Sequence, residues 1–198
     1  MDLSPAAGGR MIVRDRSDAD LGACAALAGA VHESDGYPKY LPGDLRSFIA
    51  SRDAYQAWVA EQDGRVVGHV ALHSRSSGAA VAVAREALGQ PPERLGFIAR
   101  LLVSPDARGA GAGRALLEVA TQAAIGRGLS PVLDVDATAA PAIALYERCG
   151  WTRAGQITAR FSDGNELTEF VYLGPRPADA DAWDSAARRA SEHPVTRA

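Results

Sequence analysis

The segment from Phe97 to Gly150 constrains this 198-residue chain more than any other. Phe97-Ile98-Ala99-Arg100-Leu101-Leu102-Val103 has the apolar run of a buried strand. Ser104 to Gly113 follows as turn material carrying Gly109, Gly111 and Gly113. Ala115, Leu116, Val119, Ala120 and Ala123 then recur at helical spacing until Gly126 and Gly128 stop the helix. Val132-Leu133-Asp134-Val135 is a short, largely apolar strand of the kind found inside sheets. Pro141 suits the first turn of a helix bearing Ile143, Leu145 and Tyr146, which closes at Gly150. The order strand, glycine turn, helix, strand, helix predicts a mixed α/β domain.

The flanks extend that pattern. Met11-Ile12-Val13-Arg14 reads as a first strand, and residues 17–20 offer N-caps for a helix with Leu21, Cys24, Leu27, Ala28 and Val31 on one face. A short helix is expected over about 43–50. Residues 57–72 read as a hairpin turned by Asp63-Gly64. Residues 74–92 are an Ala-rich insertion, helical around 81–88, and two last strands fall after Trp151 and over 167–173. Residues 1–10 are taken as a flexible leader, 11–173 as the domain, and 174–198 as a tail with a weak helix near 183–190.

Composition narrows the function. Hydrophobic residues at 47% and charged residues at 23% argue against wholesale disorder. With 21 basic against 24 acidic residues the formal charge is −3, which gives no field for holding nucleic acid. No apolar run reaches the roughly 20 residues of a membrane span, and the first residues lack the pattern of a secretory signal. Cys24 and Cys149 are too few for a disulfide framework or a four-ligand zinc site, so no metal is expected and the compartment is read as cytoplasmic.

The turn from Arg108 to Arg114 joins a strand to a helix. Its glycines allow positive φ and close approach of a ligand, and the helix start brings unpaired N–H groups and a positive dipole end. The dipole contributes only about 0.3–1 kcal/mol. Hydrogen bonds to a charged acceptor add about 1.5–3 kcal/mol each, so a phosphate-bearing ligand is favoured. A P-loop is disfavoured because the segment has no lysine. A dinucleotide fingerprint is weakened because the turn lies mid-chain, although Asp134 follows Gly113 at a suitable interval.

Residues 103–117, with core Arg108-Gly109-Ala110-Gly111-Ala112-Gly113-Arg114, resemble the acyl-CoA motif of the GNAT superfamily of N-acetyltransferases. Residues 142–151, with Leu145-Tyr146 and Gly150-Trp151, resemble a second motif of that family in the right order. The resemblance covers about 11–173 and is weaker before residue 95. It implies a mixed, mostly antiparallel sheet of six to seven strands with about four helices and two splayed parallel strands at its centre. It implies acetyl-CoA as cofactor, with its pyrophosphate on the backbone of Arg108, Gly109, Ala110, Gly111, Ala112, Gly113 and Arg114. The pantetheine arm would lie along Leu101, Leu102 and Val103, and a main-chain N–H near Leu102 or Val103 would polarise the thioester carbonyl. Tyr146 would contact the cofactor and protonate the departing thiolate.

The resemblance also has gaps. The position of the family's usual Glu base is Phe97, and that of an Asn contacting CoA is Ala139. His73 is taken as the replacement base, with His69, Glu93 or Asp35 as alternatives. The loop after the first helix is expected to line the acceptor site, with Glu33 and Asp35 attracting a cationic amine and Tyr37 beside them. The expected reaction is direct acetyl transfer to a primary amine of a small molecule or peptide, in a chain that would suit a homodimer. A non-catalytic acyl-CoA-binding domain is the alternative.

Overall fold

Asp63 and Gly64 both take positive φ, 52° and 74°. Two left-handed residues in succession match the right-handed twist of two flanking strands and close them into a tight hairpin. That hairpin, β2 (Ala54–Gln62) and β3 (Arg65–His73), is the antiparallel centre of one half of the sheet. β1 (Met11–Asp15) pairs with β2 on its outer side. β4 (Leu95–Val103) pairs with β3 on the inner side. The other half is β5 (Ser130–Asp136), β6 (Thr152–Arg160) and β7 (Glu166–Leu173), all joined by antiparallel pairing. The computed structural model describes residues 10–39, 41–160 and 165–175. Within them the sheet has seven strands in the order β1-β2-β3-β4-β5-β7-β6.

Five α-helices cover the sheet among the described residues, where the family resemblance implied about four. They are α1 (Leu21–Asp35), α2 (Leu45–Ala50), α3 (Gly78–Leu88), α4 (Ala112–Gly126) and α5 (Ala140–Arg148). Strand alternation sorts them by face. Leu116, Leu117 and Ala120 of α4 and Tyr146 of α5 pack with Leu72, Ile98, Leu133, Val135 and Tyr172. On the opposite face α1 packs on Val59 and Leu102, and α3 on Phe97, Val132, Ile157 and Val171. Gly68 is what lets α4 seat closely, since a Cβ there would come within 2.7 Å of Leu116 Cδ1. Most of the expected leader, and the tail from 176 with its helix near 183–190, lie outside the described residues.

Two interruptions shape the middle of the sheet. The parallel pairing of β4 with β5 runs only from Leu95↔Ser130 to Phe97↔Val132. Beyond it β4 continues beside β3, and β5 beside β7, so a gap opens between them. The second interruption lies just past that point, where Ala71↔Ala99 is followed by His69↔Leu102. Arg100 and Leu101 therefore face Val70 alone, which is a β-bulge. Arg100 has φ 54°, a conformation costing about 1–2 kcal/mol for a residue with a Cβ.

Candidate active site

The glycine turn follows β4 directly. Pro105–Ala107 makes a single 3-10 turn, Gly109 and Gly111 take φ 80° and 89°, and α4 begins at Ala112. A Cβ at Gly109 or Gly111 would meet nothing within 4 Å, so the backbone there is open on its outer side. Gly113 has a packing reason, because a Cβ would lie 3.2 Å from Leu145 Cδ2. No side chain caps α4. The first helical N–H to find a carbonyl is that of Ala115, bonded to Gly111 at 3.0 Å. Among the described residues no protein carbonyl takes the N–H groups of Gly109, Ala110, Gly111, Ala112, Gly113 or Arg114. Convergent free amides at a helix start, with open space beside them, fit a diphosphate. Arg108 is set apart from that run. Its N–H reaches Pro105 O only at 3.5 Å, and its guanidinium grips Asp35.

The gap between β4 and β5 begins where their pairing ends. Leu101, Leu102 and Val103 border it with backbone groups that β5 does not use. Leu102 is fully buried under α1, while Leu101 and Val103 pack towards α4. A free strand edge of this kind accepts an extended chain by main-chain pairing.

Carboxylates gather on the α3 face of the same gap. Asp134 and Asp136 point to one side of β5, and Glu169 of β7 pairs opposite Asp136. The Glu169 carboxyl is pushed up to about 7 by burial, then by the charges of Asp134 and Asp136. Asp134 is raised by burial, while its bond from Ser76 Oγ at 3.0 Å works against that rise. Tyr37 reaches into this cluster. Its ring is 40% exposed, but its hydroxyl end is buried, which with the charge of Asp134 pushes its pKa up to about 12. The nearby charge and backbone of Arg100 work against that rise.

Tyr146 approaches from the other face. It is 8% exposed and packs between Trp151 and Tyr172, with ring centroids at 6.3 and 6.1 Å. Burial raises its phenol far above the ordinary value, with further contributions from Tyr37 and Asp134.

The remaining sequence candidates take other places. His73 Nε2 accepts from Arg100 Nη1 at 2.9 Å, and burial followed by that positive charge pushes its pKa down to about 4. His69 is fully buried, also lowered to about 4 by burial, and its Nδ1 bonds Arg100 O at 3.0 Å. Glu33 is exposed on α1. Burial alone would raise Asp35, but its bonds from Arg108 and Ser34 hold it below the usual range. Phe97 lies in the core under α3, and Ala139 stands at the start of α5 without a capping bond. Cys24 is pushed up to about 11 by burial and is no nucleophile.

The sequence reading did not assign Glu169 or Arg100 to the site, and it weighed Asp134 only for a dinucleotide. Acids two residues apart in the otherwise apolar β5 were the signal available for Asp134.

Comparison with known proteins agrees with this architecture. The sequence model described as the acetyltransferase (GNAT) family matches residues 26–151. A mycothiol acetyltransferase of Acidothermus cellulolyticus is 41% identical over 101 residues, covering 50% of this chain and 30% of that protein. The chain thus matches less than a third of that relative's length. A ribosomal-protein-alanine N-acetyltransferase of Brucella melitensis superposes with TM-score 0.63 at 24% identity, covering 82% of this chain and 98% of the other. Arabidopsis thaliana NAA60 in complex with acetyl-CoA gives TM-score 0.61 at 20% identity, covering 83% and 97%. A match across most of the domain, on a sheet split between β4 and β5, places this chain in the GNAT family of acetyltransferases.

Proposed function

We propose that the chain transfers an acetyl group from acetyl-CoA directly to a primary amine, with Glu169 as the principal base and Tyr146 as the acid. One observation carries this reading: the unclaimed amides of Gly109–Arg114 follow directly on a strand that has just left its parallel neighbour. The amides would hold the diphosphate, and the free edge at Leu101–Val103 would align the arm along the gap. Bound acetyl-CoA supplies the activated acetyl group as a thioester.

The protein's own groups handle the protons. An acceptor arrives as an ammonium ion and must lose a proton before its nitrogen can attack. Glu169, at about 7, is poised to take one near neutrality. Asp134 lies beside it and stabilises the approaching positive charge. His73 fits the base role poorly, because its free nitrogen is committed to Arg100. Strand-edge N–H groups stabilise charge that develops on the carbonyl oxygen. Tyr146 stays protonated at any working pH, so it always has a proton for the leaving sulfur. The forming bond is N–C and the breaking bond is C–S. The ammonium's first proton goes to Glu169, and the sulfur takes one from Tyr146. The second proton of the attacking nitrogen, shed as the tetrahedral adduct collapses, restores the Tyr146 phenol through solvent.

The acceptor class is a small-molecule or peptide amine. The relatives' names cover both, and acidic groups around Tyr37 suit a cationic nitrogen. The test is release of CoA thiol across a panel of amines, amino acids and peptides, beside a melting curve with acetyl-CoA. Ligand at 100 times Kd stabilises by about 2.7 kcal/mol, several degrees for a chain of this size. A melting shift with no thiol release from any amine would favour a non-catalytic acyl-CoA-binding role. No shift with acetyl-CoA would overturn the reading altogether.

A further inference from the structure

Arg100 is held from both its backbone and its side chain. Its carbonyl accepts from His69 Nδ1 at 3.0 Å, and its guanidinium donates to His73 Nε2 at 2.9 Å. One face of the guanidinium lies over the Phe48 ring, 4.4 Å from its centroid. The tautomers follow from chemistry. A carbonyl can only accept, so His69 carries its proton on Nδ1. A guanidinium can only donate, so His73 Nε2 is unprotonated. The His73 imidazole is therefore neutral, burial of the unpartnered Nε2 disfavours a second proton on His69, and both rings lie under 9% exposed on one face of β3, four residues apart.

What they hold is a backbone that holds itself poorly. A left-handed bulge residue inside a sheet is ordinarily glycine. Here it is arginine with φ 54°. Such conformations persist only where the surroundings over-determine them, and they gather at functional sites. The bulge sits three residues past the last β4–β5 pair and one residue before the free edge at Leu101–Val103. It sets which amides of that edge face the gap. A glycine would adopt the bend more cheaply but would offer no guanidinium for His73 to hold.

We propose that His69 and His73 are positioning residues for acetyl transfer. They fix the Arg100 bulge from its carbonyl and from its side chain, and so aim the free edge of β4 into the gap. Neither needs to touch cofactor or acceptor. The inference rests on the acetyl-transfer reading for its kinetic consequence, but not for its structural one.

The experiment compares His69→Leu with His69→Asn, whose amide N–H stands where Nδ1 stood, and His73→Leu with His73→Gln, whose carbonyl can accept from Arg100. Each is read by hydrogen exchange at the Arg100 and Leu101 amides, by calorimetric CoA binding and by kcat. Leu21→Ala on α1 serves as a control for lost core packing. The leucine variants are expected to speed exchange at the bulge at least tenfold and lower kcat at least tenfold, with Kd for CoA within about threefold. His69→Asn and His73→Gln should each recover most of the loss. Unchanged exchange at Arg100 and Leu101, or a kcat loss no larger than that of Leu21→Ala, would overturn the proposal. So would failure of both conservative variants to do better than leucine. If His69→Leu does not fold, the His73 pair decides the question alone. If the wild type acetylates no amine while exchange still responds, the acetyl-transfer reading has failed and the brace stands.

Discussion

Arg108 holds both carboxylate oxygens of Asp35, at 3.0 and 2.6 Å, so the last residue of α1 is tied to the glycine turn. Both side chains are about 40% exposed, and exposed pairs of this kind contribute only about 0.2–1 kcal/mol. The larger consequence is electrostatic, because Asp35 sets a negative charge beside the turn proposed to seat the diphosphate. Asp35→Asn is expected to cost little stability and to tighten CoA binding two- to fivefold at low ionic strength. The gain should shrink at 0.5 M salt as the charge is screened. Calorimetry at two salt concentrations checks this, and weaker CoA binding in the variant at both would refute it.

Glu169 should set the acid side of the pH–rate profile. A base must be deprotonated to work, so kcat/KM is expected to rise with pH through about 7. Glu169→Gln should remove that limb and lower kcat by about 10²–10⁴. A profile that keeps its limb near 7 in the variant would move the base elsewhere, with Asp134→Asn the next variant to measure.

Tyr146→Phe separates binding from turnover. The ring would keep its packing against Trp151 and Tyr172, so the melting shift with acetyl-CoA should survive. Loss of the proton donor should cost about 10²–10⁴ in kcat. An unimpaired kcat would show that the hydroxyl only packs.

The two brace histidines also predict a pH dependence of folding. Each is lowered from 6.5 to about 4 in the fold, so the unfolded chain binds more protons between those values. Their stabilisation is full above about 6.5 and is lost as the pH falls towards 4. Glu169, raised to about 7, acts oppositely, since its burial costs stability as the pH rises from about 4.5 to 7. A difference measurement isolates the histidine share. Denaturant melts of His73→Gln should lose less stability than wild type between pH 6.5 and 4. Equal slopes would mean that His73 titrates alike in both states.

The sequence disclosed what is local. A strand, a glycine turn, an amphipathic helix and a Leu-Tyr pair on the next helix are each set within a few residues, and each stands where the periodicity put it. Glu169 was hidden because its role comes from pairing with Asp136, on a strand reached only after α5 and β6 intervene. Its raised pKa comes from burial that no spacing reveals. Arg100 was hidden for a different reason, since an arginine in an apolar run reads as an ordinary strand residue. His73 was correctly singled out as unusual, but the partner that explains it is brought near by the pairing of β3 with β4. The helix expected around 81–88 within the insertion is α3, which the Ser77 cap starts three residues earlier, at Gly78.

The split sheet puts Tyr146 on the side of α4 and α5, and Glu169 with Asp134 on the side of α3. A molecule lodged in the split is thus reached by a donor from one wall and a receiver from the other. In the proposed reaction the incoming nucleophile would shed a hydrogen ion into one compartment while the outgoing sulfur would collect one from the opposite compartment. Neither of those ions would have to travel past the reacting carbon, although the charge of Asp134 is felt on both sides of the split.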